Sequence, residues 1–535
     1  MVERRRSIAG LTALLAWSLL TASCGLDDVQ SGVVADRSTP IVTDEIGDAR
    51  AGDDFTPAGS DAEPDPGEAQ VDDPGTDTPL VPDDAMGEDR PDIPDIDPAD
   101  VDPGAIDFGS GKTARDYDDF LLTSLSDIER WLQAEFEPAF GIPYQPLAGG
   151  VYAGYPGRTD IPGCGEPSTN YELLQLAVAF YCPAGDFIAY DDGDQSLLTS
   201  LAAQFGPATI GIVLAHEYGH ALQQRDGSLQ LNLPTVATEQ QADCISGAWA
   251  SRAAAGLAPG VPFTDNDVRA GLISMIRVQD PVGADPTAPG GHGSGFDRVG
   301  AFQTGFNEGL GRCAQLIDDP LPLTPLAFLS GDDQVNQGNA PFGFGENQLF
   351  NFLLPDLNAY WDVEVDSLFP NFRPLTEVVV SSIDQIECDE PRGYASFGVE
   401  LCSATNTVFI IEPILRQVYD EQGDFGPGFL LGIVWAEHAQ ISNGSQVTGE
   451  ERQLRNDCLV GAWVDTLIPD PATGQLPRPR AAERASSVSP GDLTEAILTA
   501  IVIGDRNSDS DVLGSAFEKV NEFRRGALNG IDACS

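Results

Sequence analysis

The chain of 535 residues carries 84 acidic against 28 basic side chains, a formal net charge of −56. So few cations exclude ordinary nucleic-acid binding, which needs clustered Lys and Arg against phosphates. The length leaves room for more than one domain, each with a sizeable core.

Residues 1–24 read as an export signal: Arg4, Arg5 and Arg6, an apolar run from Ile8 to Leu20, then the small residues Thr21, Ala22 and Ser23 before Cys24. The run is too short for a comfortable transmembrane helix. The small residues before Cys24 resemble a bacterial lipobox, whose cysteine is lipidated and becomes the mature N-terminus. Thr21 stands where leucine is usual, and plain cleavage with secretion is the alternative. Residues 25–112 are rich in Asp, Glu, Pro and Gly, with Arg37, Arg50 and Arg90 the only counter-charges before Lys112. Such a stretch buries too little apolar area to offset its ordering entropy. It is expected to be a disordered tether, extended by its own charge. Order is expected near Tyr117, where Phe120, Leu121, Leu125, Ile128, Trp131 and Leu132 recur at helical spacing.

A Gly- and Pro-rich connection leads past Cys164 and Cys182 to a short strand around Phe187 to Tyr190. After Pro207 comes a strongly apolar helix carrying the run HEYGH. His216 and His220 are four residues apart, so they project from one helix face and can hold a single metal ion. Glu217 beside them is placed to take a proton from a metal-activated water and return it to a leaving amine. Two histidines leave the ion under-coordinated, because a catalytic zinc takes three protein ligands. Glu239, nineteen residues after His220, is the candidate third ligand. If Glu239 to Asp243 is helical, the two carboxylates share a face. Asp243 then accepts a hydrogen bond from the far nitrogen of a ligand histidine and fixes its tautomer. The chain has only four histidines, so this arrangement rarely arises by chance.

Thr264 to Asp280 reads as a further helix with Asn266 or Asp267 as its cap. A Gly-rich turn, Gly290 to Arg298, then carries His292, which either donates to the oxyanion of a tetrahedral intermediate or only orders its loop. The blocks HEYGHALQ, EQQADCISGAW and HGSGFDRVGAFQTGF, with AFYCPAGDFIAYD upstream, resemble the bacterial neutral zinc metallopeptidases, which share the gluzincin ligand pattern. The resemblance spans about Asp116 to Cys313 and implies a zincin-like fold, zinc and peptidase chemistry. Spacing alone supports only a water-activating metal site.

The second half repeats the first. FGPATIGIVLAHEYGHALQ is echoed by FGPGFLLGIVWAEHAQISN, EQQADCISGAW by QLRNDCLVGAW, the helix near Tyr117 by QLFNFLLPDLNAYW, and VGAFQTGFNEGLGRC by the stretch Leu513 to Cys534. In this register His216 becomes Glu437, Glu217 becomes His438, His220 becomes Ile441 and Glu239 becomes Gln453, while Asp243 persists as Asp457. The second copy is therefore expected to hold no metal. Apart from Cys24, eight cysteines remain, an even number that suits disulfides in an exported chain. The repeat favours Cys164–Cys182, Cys244–Cys313, Cys388–Cys402 and Cys458–Cys534.

The expectation is a mainly α protein with a small β component: a zincin-like metallopeptidase domain at 113–316, a linker at 317–337 and a degenerate repeat at 338–535. It would be an exported, lipid-anchored zinc endopeptidase with one Zn2+ per chain, acting on a peptide or protein, tethered to the membrane through Cys24, and binding no nucleic acid. The alternative is a non-catalytic surface binding protein whose zinc is structural or vestigial.

Overall fold

The computed structural model describes residues 101–534 apart from 166–167, 329, 393, 470–475, 477–485 and 505–514. The export signal, Cys24 and the acidic segment up to residue 100 lie outside the described residues. The described chain is mainly helical with two small sheets, as expected. Among the described residues no helix is long and apolar enough to cross a membrane.

In chain order the first half contains β1 (Ile106–Asp107), α1 (Asp118–Phe140), β2 (Gly150–Gly154), α2 (Tyr171–Ala177), β3 (Ala179–Cys182), β4 (Phe187–Asp191), α3 (Leu197–Phe205), α4 (Ala208–Asp226), α5 (Thr235–Ala254), α6 (Asp265–Arg277) and α7 (Gly295–Cys313). Its sheet has the order β1-β2-β4-β3, with β2 parallel to both β1 and β4, and β3 antiparallel to β4. Order begins earlier than Tyr117. Ile106 is buried in β1, Arg158 pairs with Asp107 at 2.9 Å, and Lys112 Nζ lies 2.6 Å from Asp118 and 3.0 Å from Asp192. A two-residue strand has no periodicity to read, and its charged surroundings find their cations only in the folded chain.

α4 is buried on every face from Ala208 to Gln223, so it forms the axis of this half, and α5 is nearly as enclosed. The start of α6 differs from the sequence reading. Thr264 is the cap, and the Asp267 carboxylate closes a capping box by accepting from the Thr264 backbone N–H at 2.8 Å.

A connection with the short helix α8 (Gly331–Val335) leads to α9 (Leu349–Ala359), β5 (Thr376–Val380), β6 (Val399–Cys402), β7 (Thr407–Ile411), α10 (Glu412–Gln422), α11 (Phe425–Ser442), α12 (Gly449–Asp465), α13 (Asp492–Ile503) and α14 (Ala516–Asn529). Here β5 pairs parallel and β6 antiparallel with β7, as β2 and β3 do with β4. Finer details recur too. Trp249 Nε1 donates to Asp127 of α1, and Trp463 Nε1 donates to Asp356 of α9.

Helical glycines set the closest packing. A Cβ on Gly247 of α5 would lie 1.9 Å from the Phe302 carbonyl oxygen of α7, and one on Gly305 of α7 would lie 1.7 Å from that of Cys244. In the second half Gly461 faces the Phe523 carbonyl and Gly526 that of Cys458 in the same way, each at 2.0 Å. This register pairs Phe302 with Phe523 and Arg298 with Lys519, and so moves the last sequence block along from its match at Leu513. The four disulfides join Cys164–Cys182, Cys244–Cys313, Cys388–Cys402 and Cys458–Cys534, the expected pairs.

The two halves share one continuous hydrophobic core. α6 and α7 pack on α13 and α14, with Phe306 tilted at 42° against Phe517 and 4.4 Å between ring centroids. Gln303 donates to the Phe517 carbonyl at 3.1 Å, and Arg524 to that of Phe296. Replacing Gly305 with Ala drives a methyl group into backbone rather than into a movable side chain, and is expected to cost at least about 2 kcal/mol. Denaturant unfolding of Gly305→Ala beside the unmodified chain measures this, and an unchanged midpoint would contradict the backbone contact.

Candidate metal centre

α4 carries His216, Glu217 and His220, and α5 carries Glu239 and Asp243. The two helices touch backbone to backbone at Gly219, where a Cβ would lie 2.7 Å from Ala242 Cα. That approach is why the glycine sits inside HEYGH. Glu239 and Asp243 flank Ala242, so both reach across to the imidazoles. Glu239 Oε2 lies 3.3 Å from His216 Nε2, and Oε1 lies 3.5 Å from His220 Nε2. The two rings stand at 90° to each other, with centroids 4.8 Å apart.

These distances fit a shared ion. Ligand atoms about 2.0–2.1 Å from a tetrahedral zinc lie about 3.3–3.4 Å from one another. Each of the three residues offers a ligand atom, and the three atoms fall within 4.8 Å of one another. His216, His220, Glu239 and Glu217 are 4, 3, 3 and 2 % exposed, so water competes little for the site.

The far sides of the rings are fixed. His216 Nδ1 lies 2.7 Å from Asp243 Oδ1, a carboxylate oxygen that can only accept, so the ring presents Nε2 toward Glu239. Asp243 is held in turn by two bonds from Arg298, Nε to Oδ2 at 2.9 Å and Nη2 to Oδ1 at 2.7 Å. Burial acts to raise the Asp243 carboxyl, but Arg298 and His216 outweigh it and hold the group below its ordinary value. On the other ring, His220 Nδ1 is 3.0 Å from Gln223 Oε1. Gln223 Nε2 donates to the Thr238 carbonyl at 2.6 Å, which leaves its oxygen facing His220 and makes Nδ1 the donor. At Glu239 burial again acts upward, yet the charges of His220 and His292 and hydrogen bonds from both ligand histidines hold the carboxyl well below the usual range.

His292 is ordered by Asp280, whose Oδ2 accepts from the His292 and Gly293 backbone N–H groups at 2.8 Å each and whose Oδ1 lies 3.2 Å from His292 Nδ1. It therefore orders its loop and also stands within electrostatic reach of Glu239. Sequence reasoning missed Gln223, Asp280 and Arg298. Gln223 was accessible, since it follows His220 by one helical turn. Arg298 sits 55 positions from Asp243, with no local signal of the pairing.

The second half is wired differently. Glu437 accepts from Asn456 at 2.9 Å and lies 3.4 Å from Arg452, while Gln453 accepts from the Tyr394 hydroxyl at 2.7 Å. His438 contacts Ser403 and the Arg373 carbonyl at 3.2 and 3.1 Å. Among the described residues these positions form no ligand cluster. Asp457 keeps its cation as Lys519 Nζ at 2.7 Å, but its Oδ1 has no donor where Asp243 has His216. Burial pushes the Asp457 carboxyl up to about 7 despite Lys519.

No protein-family model matches the chain, and no solved structure does. Over 169 residues it is 32 % identical to uncharacterized proteins of Mycobacterium tuberculosis and Mycobacterium bovis. The match covers 28 % of this chain and 55 % of the relatives, so the chain spans about half the length of the curated proteins it matches.

Asp243→Asn removes the acceptor charge that holds His216, and is expected to weaken divalent-metal affinity about 10- to 100-fold. Chelator competition reads the change. Unaltered affinity would mean that His216 needs no such support.

Proposed function

We propose that the chain is an exported zinc-dependent endopeptidase with a gluzincin-like site in a zincin-like domain at 113–316, followed by a degenerate copy of that domain at 338–535 without a zinc site. The observation that carries this reading is the position of Glu239, 3.3 Å from one imidazole nitrogen and 3.5 Å from the other, with Glu217 on the same helix as both histidines. His216, His220 and Glu239 would hold the ion. When bound, zinc would acidify water and polarise a scissile carbonyl.

The rest falls to the chain's own residues. Glu217 takes a proton from the attacking water and passes it to the leaving amine. Asp243 and Gln223 keep the two ligand rings in the coordinating tautomer. His292, steadied by Asp280, donates to the developing oxyanion. The paired disulfides suit an oxidising compartment, and Cys24 would supply the lipid anchor. The recurrence of the Gly247–Phe302, Trp249–Asp127 and Asp243–Arg298 contacts as Gly461–Phe523, Trp463–Asp356 and Asp457–Lys519 supports tandem duplication with loss of the ligands in the second copy.

The deep burial of all three ligands favours a second reading, a structural or latent zinc in a surface binding protein. One experiment separates the two. Full-length protein is expected to carry one zinc per chain and to cleave a broad peptide library until chelated. Glu217→Gln is expected to keep the zinc and lose cleavage by at least about a hundredfold. Zinc without cleavage in the native protein would select the structural reading. Absence of zinc would end both.

A further inference from the structure

A second carboxylate cluster lies outside the HEYGH site. Asp424 precedes α11, and Asp492 and Glu495 lie in the first turn of α13. Each offers an oxygen, and the three oxygens fall within 4.8 Å of one another. Asp424 and Asp492 are only 6 and 3 % exposed. None of the three makes an ion pair with a described Lys or Arg. The charges acting most strongly on them are one another's and, for Asp424, that of Asp333.

The surroundings are built to hold these oxygens. Asp424 Oδ2 accepts from the Ala340 backbone N–H at 2.7 Å, and its own N–H donates to Asn339 Oδ1 at 2.6 Å. Glu495 Oε2 accepts from the Phe425 N–H at 3.0 Å, and Asp492 accepts from the Ser489 N–H and hydroxyl at 2.8 and 2.9 Å. Gly423, at φ +84°, leaves room for the Glu495 carboxylate, which would come 2.1 Å from any Cβ there. One acceptor is left over. Asp424 Oδ1 is buried, and the group within hydrogen-bonding reach of it is another acid, the Glu495 carboxyl. The N-termini of α11 and α13 supply roughly half a positive charge each, against three carboxylates. A buried negative excess of this kind calls for a cation.

We propose that Asp424, Asp492 and Glu495 form a second metal site, selective for a hard divalent cation of the calcium class, which ties the Asn339–Ala340 segment to α11 and α13. An all-oxygen donor set without His or Cys suits calcium rather than zinc, and an irregular carboxylate triad suits calcium better than the strict octahedron of magnesium. The site belongs to the second half alone. The Thr264 N–H and hydroxyl donate to Asp267 as those of Ser489 donate to Asp492, but Ala270 stands where that register puts Glu495.

The test uses full-length protein stripped of metal and reloaded with one equivalent of zinc, titrated with calcium chloride at about 150 mM salt to screen diffuse attraction to the acidic surface. Calorimetry is expected to find one more calcium ion in the native chain than in Glu495→Gln, with a dissociation constant of about 10⁻⁴ M or tighter. Zinc content should be equal in the two, and calcium should raise the unfolding temperature of the native chain only. Equal calcium binding by both proteins, or no calcium bound by either, would overturn the proposal, the latter leaving the carboxylates to share protons. Should Glu495→Gln not fold, terbium(III) added to native protein decides. Emission sensitised through the neighbouring Tyr419, displaced by calcium and lost in Tyr419→Phe, is expected; emission unchanged in Tyr419→Phe overturns the site.

Discussion

The contact on which the first half depends is that of α4 with α5 at Gly219 and Ala242. Only there do two helix backbones come close enough for a glutamate side chain on one to meet two imidazoles on the other. The approach is held from outside the site. The Cys244–Cys313 disulfide ties α5 to the end of α7, and the Gly247 and Gly305 contacts bring those helices to backbone distance. Arg298 of α7 then reaches Asp243 and through it His216. A third helix thereby orients a ring on the first without touching it.

The second half shows what remains when the ligands change. A carboxylate buried in apolar surroundings needs a cation whether or not a metal is near. Asp457 accordingly keeps Lys519 where Asp243 has Arg298. Lysine offers a point charge where arginine offers a two-pronged donor. With no histidine donor beside it, Asp457 is pushed upward by the same burial that Asp243 withstands. Glu437 and Gln453, which align with His216 and Glu239, are joined by hydrogen bonds through Asn456, and Gln453 also accepts from Tyr394. α13 and α14 pack on α6 and α7, so the helix that carries Arg298 rests on the second half.

Much of the candidate site was legible in the sequence for a simple reason. Helical spacing is local, so His216 and His220, or Glu239 and Asp243, declare a shared face within a single turn. The cysteine pairs were legible because the repeat limits their partners. Other features were not. β1 is too short to carry a pattern, and the Thr264 cap competed with the equally eligible Asn266 and Asp267 nearby. Arg298 lay inside a block already singled out, yet nothing local tells a surface arginine from a buried one.

The sequence by itself determined the helical character and the two-histidine face, and it favoured the disulfide partners that the structure joins, all from residue type and spacing along the chain. Only the tertiary structure decided that Glu239 meets both imidazoles, that Asp243 serves His216 while Gln223 serves His220, and that the two halves share one core. Those outcomes depend on how closely two helices approach and on which distant charges follow each other into low dielectric. Both are set by packing between segments far apart in the chain, and no local pattern of residues encodes them.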